Sequence, residues 1–175
     1  MELWNTVPSE WKNDETSSGI ACIKCFRDCQ CSLIKYRSYK PPPGRKYAAN
    51  RKKAGVLMTT NKNKILIVQS RGRLWGVPKG GVEEGETDQE CAFRELGEET
   101  GVHLDATSTP ITYEIRMNNG RYFCVDASQE HPVLLDDIHD STGVGWISIE
   151  CLKYFISQKL INVTADFSRI LKSLN

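Results

Sequence analysis

The side chains best equipped for chemistry lie close together in the chain: Glu95, Glu98 and Glu99, with Arg94 beside them. Their setting predicts a helix. Thr87 and Glu90 have the spacing of a capping box, so the helix starts just after Thr87. Gly101 is the permissive residue that commonly ends one. At about 100° per residue, Glu98 falls about 60° to one side of Glu95 and Glu99 about 40° to the other. The three carboxylates therefore share one stripe, while Phe93 and Leu96 face elsewhere and can pack on a sheet. Like charges at i,i+3 and i,i+4 cost about 0.2–0.5 kcal/mol even on an exposed helix. A hard divalent cation with oxygen ligands relieves that repulsion, and Mg²⁺ held by carboxylates usually also engages substrate phosphates. Arg94 is near enough to brace a glutamate. The plain alternative is an acidic, solvated helix face, which the stripe alone does not exclude.

The flanking residues shift the balance. Gly80, Glu86 and the run Arg94-Glu95-Leu96-Gly97-Glu98-Glu99-Thr100-Gly101-Val102 match Gly-x5-Glu-x7-Arg-Glu-U-x-Glu-Glu-x-Gly-U at every fixed position, U being a bulky aliphatic residue. Through this box the chain resembles the Nudix hydrolase family, over residues 54 to 160. The resemblance implies an α/β/α sandwich around a mixed sheet. It also implies a loop–helix–loop that holds Mg²⁺ or Mn²⁺, and hydrolysis of a nucleoside diphosphate linked to another group. Carried over by position, Glu98 and Glu99 are the main metal ligands. Glu95 is a further ligand or the base for the attacking water. Arg94 orients a glutamate, Glu86 supports the loop or meets the metal through water, and the carbonyl of Lys79 or Gly80 completes the metal shell. Many family members add an acid from beyond the box; the candidates are Asp136, Asp137 and Asp140, with Glu130 further off, and Asp137 is favoured because Ile138 and a Trp-containing strand follow it.

Substrate class divides the resemblance. Trp75-Gly-Val-Pro-Lys-Gly80 and the Cys91-Ala92 pair are similar to the mRNA-decapping branch. Gly81 and Val82 depart from it and are similar to diphosphoinositol and diadenosine polyphosphate hydrolases. A nucleotide-pool sanitiser is a third class. A non-catalytic Nudix-like binding module is a fourth, and the complete set of costly glutamates argues against it.

Those residues need a scaffold. Gly19 to Phe26 with Ser32 to Tyr36 reads as one hairpin, and Ala54 to Thr60 with Lys64 to Ser70 as a second. Leu74 to Gly85 reads as glycine-rich loop. Ile111 to Met117 and Tyr122 to Ala127 form a third hairpin around Asn118-Asn-Gly120. Val144 to Ile149 reads as a strand, and Glu150 to Gln158 and Ala165 to Leu174 as amphipathic helices. The mixture predicts an α/β fold. It divides into an N-terminal extension, residues 1 to 53, and a hydrolase domain, residues 54 to 175.

Charge is the last clue. The 23 Lys+Arg nearly balance the 22 Asp+Glu, yet eight basic residues and no acid lie between Lys35 and Lys53, so a net charge of +1 leaves 1 − 8 = −7 elsewhere. This block, with Tyr36, Tyr39 and Tyr47, can grip phosphates and stack on bases; Pro41-Pro-Pro-Gly44 marks it as loop or linker, and a purely solvated linker is the alternative. Arg51, Lys52, Lys53 and Lys79 are the candidate substrate-binding cations, for a polyphosphate, a nucleotide or a capped RNA. The tyrosines favour capped RNA. Cys22, Cys25, Cys29 and Cys31 sit in apolar, strand-like text and read as buried thiols rather than a zinc site. Seven cysteines with no visible signal peptide suggest a reducing, cytoplasmic setting. No apolar run approaches a membrane span.

Overall fold

The computed structural model describes residues 19–21, 31–35, 51–61, 63–133 and 141–174. The central sheet is mixed. Its strands are β1 (Gly19–Ala21), β2 (Ser32–Lys35), β3 (Lys53–Thr60), β4 (Lys64–Ser70), β5 (Leu74–Gly76), β6 (Lys79–Gly81), β7 (Tyr113–Met117), β8 (Gly120–Ala127), β9 (Ser141–Ser148) and β10 (Asn162–Val163). The main order is β1-β2-β9-β4-β3-β8-β7, with β5, β6 and β10 attached beside it. β3 and β8 run parallel over their whole length, and β10 pairs parallel with Leu74 and Trp75 of β5; the other pairs are antiparallel.

Among the described residues three helices, α1 (Asp88–Thr100), α2 (Ile149–Ser157) and α3 (Ala165–Ser173), cover the two faces. β3 shows why. Ala54, Val56 and Met58 pack with Cys91, Ala92, Phe93 and Leu96 of α1, whereas Leu57 packs with Leu152 and Phe155 of α2 and with Phe167 and Ile170 of α3. β4 alternates the same way, Leu66 and Val68 against Ile65 and Ile67. Strand side chains alternate faces, so a strand covered on both sides must be apolar throughout. The expected α/β/α sandwich with a mixed sheet is the observed fold. No helix of the described residues is long and apolar enough to cross a membrane.

Thr87 caps α1 as the capping box requires: the Glu90 N–H donates to Thr87 Oγ1 at 3.2 Å, and the Thr87 N–H to Glu90 Oε2 at 2.8 Å. Gly101 takes φ 72° and closes the helix by donating its N–H to the Gly97 carbonyl at 2.8 Å.

One expectation is corrected. Leu74 to Gly85 is not all loop: it contains β5 on β4 and β6 on β3. Three-residue strands rich in glycine carry no alternating signal; main-chain pairing with longer strands makes them. β6 lies on β3 in the register Ala54↔Gly80 and Gly55↔Lys79. That approach requires Gly55, because a Cβ there would come within 2.6 Å of the Lys79 Cβ. Likewise β9 begins at Ser141, before the expected Val144, where pairing with β4 continues through a bulge.

The first hairpin is present as β1 on β2, and β2 extends the sheet through β9. Residues 22–30, with Cys22, Cys25 and Cys29, lie outside the described residues. Cys31 is buried, and the Ser148 N–H donates to its Sγ at 3.2 Å. Most of the basic block, residues 36–50, also lies outside them.

Candidate active site

Arg94 organises the acidic face of α1. Its Nε–H donates to Glu86 Oε1 at 2.8 Å and its Nη2 to Glu86 Oε2 at 3.0 Å, a two-pronged pairing across the loop that precedes the helix. Nη1 reaches Glu95 Oε1 at 2.8 Å and Glu98 Oε2 at 3.2 Å. Nη2 also donates to the Gly81 carbonyl at 3.3 Å. The Glu83 N–H adds a bond to Glu86 Oε2 at 3.0 Å, closing the loop on itself. One guanidinium thus ties together the loop, β6 and the helix.

Glu99 lies deeper. It is buried, and its Oε2 accepts the Lys79 N–H of β6 at 2.8 Å. Glycine at position 80 has a packing reason: the Glu95 carboxylate lies against its Cα, so a Cβ would overlap that carboxylate. The Cys91 thiol donates to the Gly80 carbonyl at 3.8 Å.

The protonation preferences diverge. Hydrogen bonding to Arg94 holds Glu86 down at about 2. Burial pushes Glu99 up to about 7, with the Glu95 charge adding to the rise and the Lys79 charge opposing it. Burial also raises Glu95, against the pull of Arg94. One arginine therefore serves Glu86, Glu95 and Glu98, while Glu95 and Glu99 remain costly to ionise. An all-oxygen donor set with surplus negative charge, packed against the glycines of β6, fits a hard divalent cation. Among the described residues no three acidic, histidine or cysteine side chains form a ready-made cage.

The structure brings together Gly80, Glu86, Arg94, Glu95, Glu98, Glu99 and the main chain of Lys79. Gly101 serves as the helix cap. The expected substrate-binding cations divide. Arg51 donates Nε–H to the Val82 carbonyl at 2.8 Å and lies along Gly81. Lys52 is turned toward Asp88 at the other end of the helix, Nζ to Oδ2 2.7 Å. Lys53 is exposed at the start of β3. Glu130 is held by Lys64 on β4 at 2.5 Å, away from the box. Asp136, Asp137 and Asp140 lie outside the described residues.

Sequence reasoning missed Arg116 and Arg121. They lie directly opposite each other across the Asn118–Asn119 turn of the β7–β8 hairpin and border a cavity of about 420 Å³ with Lys52 and Asp88. The sequence held only part of the signal: the expected three-residue turn Asn118-Asn-Gly120 would pair Met117 with Arg121, and it is the observed two-residue turn, Asn118-Asn119, that sets Arg116 opposite Arg121.

With this geometry in hand, the likeness to known proteins is informative. The NUDIX domain family model matches residues 49–164. The chain is 35% identical over 135 residues to the 111R protein of Invertebrate iridescent virus 3, which carries a hydrolase name; the match covers 74% of this chain and 78% of the viral one. It is 40% identical over 53 residues to the RNA pyrophosphohydrolase of Sphingopyxis alaskensis, but this covers only 29% of this chain and 34% of that protein. In fold it is similar to a bifunctional NMN adenylyltransferase/ADP ribose pyrophosphatase from Francisella tularensis, solved with AMP and a Mn ion. The TM-score is 0.58 at 22% identity, over 74% of this chain and 42% of that one. Box, sandwich and family match agree: the chain belongs to the NUDIX domain family and is a Nudix hydrolase.

Proposed function

We propose that this hydrolase is a metal-dependent pyrophosphohydrolase that cleaves a phosphoanhydride at the 5′ end of RNA, the capped end of mRNA being the favoured form. The observation that carries the reading is the Arg94 cluster, in which one guanidinium braces Glu86, Glu95 and Glu98 while Glu99 stays buried against β6. Mg²⁺ or Mn²⁺ would be held by Glu98, Glu99 and Glu95 with the Gly80 carbonyl, and Asp137 is proposed as the acid from beyond the box. Such an ion lowers the pKa of water and spreads developing negative charge on a phosphoryl group.

The protein's own residues do the rest. Glu95, where it is not a ligand, is the base for the attacking water; burial raises it, so it takes a proton more readily than an ordinary carboxylate. Arg94 fixes its orientation at 2.8 Å and keeps β6, with Gly80 and Gly81, docked on the helix. Arg51 beside Gly81 and the exposed Lys53 add positive charge near the box, and Lys52 adds it at the other end of the helix, which favours a polyanion. The partial likeness to RNA pyrophosphohydrolases supports RNA as that polyanion. We assign the hydrolase unit to residues 54 to 175 and the segment before it to an extension.

The test is turnover of capped RNA and of 5′-triphosphorylated RNA, each about 20 nucleotides long, with products resolved by chromatography in Mg²⁺, Mn²⁺ or EDTA. We expect cleavage in either metal and none in chelator. Hydrolysis of diadenosine polyphosphates or diphosphoinositol phosphates, with neither RNA touched, would replace RNA by a small polyphosphate.

A further inference from the structure

At the opposite end of α1 from Glu98 and Glu99, the surface has the opposite character. Arg116 and Arg121 are cross-strand partners on the β7–β8 hairpin. Like charges directly opposite in an antiparallel pair are destabilising. A single carboxylate oxygen, Glu114 Oε2, compensates both. It accepts from Arg121 Nη2 at 2.7 Å and Nε at 3.0 Å, and from Arg116 Nη2 at 3.4 Å. Asp88 is shared too, by Lys52 at 2.7 Å and by Arg121 at 3.5 Å. Among the described residues three cations therefore face two carboxylates, and two of the cations turn outward: the Lys52 and Arg116 side chains are 63% and 75% exposed, whereas Arg121 and Glu114 are each about one-third exposed and Asp88 10%.

These groups border the cavity of about 420 Å³, whose turn residues Asn118 and Asn119 add amide donors. Among the described residues Met117 is its sole large apolar lining residue, unlike a small-molecule pocket built of apolar walls. Arg121 is held ready, fastened to both acids and lying over the Phe123 ring at 5.5 Å. The registers Lys53↔Gly81 and Lys53↔Gly120 place the cavity two strand spacings, about 10 Å, from the loop of the box. It is too far away to serve the phosphoanhydride cleaved there and near enough for another part of the same substrate.

We propose that this cavity binds a phosphodiester of the RNA chain, downstream of the 5′ end presented to the box, with Lys52, Arg116 and Arg121 as the cations that hold it. The proposal rests on the RNA reading above, and its experiment is separable from it. The probe is a fluorescent hexaribonucleotide with a 5′-monophosphate, which offers phosphodiesters but no bond to cleave. Binding is measured by anisotropy, without metal, at two salt concentrations. Wild type should bind it, and Lys52→Ala with Arg116→Ala should weaken it about tenfold. The salt slope should fall by about 0.7 for each phosphate that the variant no longer neutralises on a single strand. Arg116→Lys, which keeps the charge, should retain most of the affinity. Equal affinity in wild type and double variant, or no binding by wild type, would overturn the cavity assignment. So would a loss seen only with a dinucleoside polyphosphate probe. Failure of wild type to hydrolyse any 5′-modified RNA would instead overturn the parent reading.

Discussion

Arg94 and Arg121 do similar chemistry with opposite outcomes. Each guanidinium is about one-third exposed or less, and each ties a helix α1 residue to a carboxylate elsewhere. Around Arg94 there are more acids than cations: it serves Glu86, Glu95 and Glu98, with Glu99 buried nearby. Around Arg121 the cations are in excess, with Lys52 and Arg116 sharing Asp88 and Glu114. The lesson is that the remainder, not the ion pairs themselves, gives each end of the helix its use. The first remainder calls for a cation and the second for an anion. Exposure separates them as well. Desolvation raises Glu95 and Glu99 at the first end, whereas at the second the Lys52 and Arg116 side chains are largely exposed.

The largest expected effect comes from removing charge at the first end. Glu98→Gln and Glu99→Gln should each lower kcat at least about 100-fold with an unchanged circular dichroism spectrum, the scale of losing one main electrostatic stabiliser. Activity near wild type in both would remove the distinction between the two ends. Next is Arg94→Ala. It strands Glu86, Glu95 and Glu98 and should cost about 1–3 kcal/mol in denaturant unfolding, whereas Arg121→Ala should move the midpoint less, because Asp88 keeps Lys52 at 2.7 Å and Glu114 is about one-third exposed.

A third comparison uses pH. In the metal-free protein Glu99 titrates near 7 when folded, above its ordinary 4.5. Its contribution is therefore fully present below 4.5 and is lost as pH rises through 7. Glu99→Gln escapes that loss, so it should be the more stable protein at pH 8, by about 0.5–2 kcal/mol, and show little advantage at pH 4.5. Glu86 has the reverse sign: its contribution holds above 4.5 and disappears only as pH falls toward 2. A Glu99→Gln variant less stable than wild type at pH 8 would make Glu99 a structural residue. The smallest effect is expected from Arg116→Ala, whose melting temperature should match wild type within about a degree, as for most exposed side chains.

The helix was legible because its signals are local. Thr87 and Glu90 are three residues apart, Gly101 ends the run, and i,i+3 and i,i+4 spacing alone puts Glu95, Glu98 and Glu99 on one face. The long hairpins were legible for the same reason. β5 and β6 were not, since three residues carry no period and their partners lie on β4 and β3. Nor was the pairing of Lys52 with Asp88, which ties a candidate substrate-binding cation to the start of α1.

By itself, then, the sequence determined the capped helix, its carboxylate stripe, the family and the apolar strands that demand helices on both faces. All of these follow from neighbours within a few residues or from a spacing that can be counted. The tertiary structure decided which groups meet across long separations. Gly80 lies beneath Glu95, the Lys79 N–H reaches Glu99, and Arg121 reaches Asp88, 33 residues away. Those meetings depend on strand register and on how α1 docks against β3 and β6. Register is set by the packing of both sheet faces at once, a condition that no local window of the chain contains.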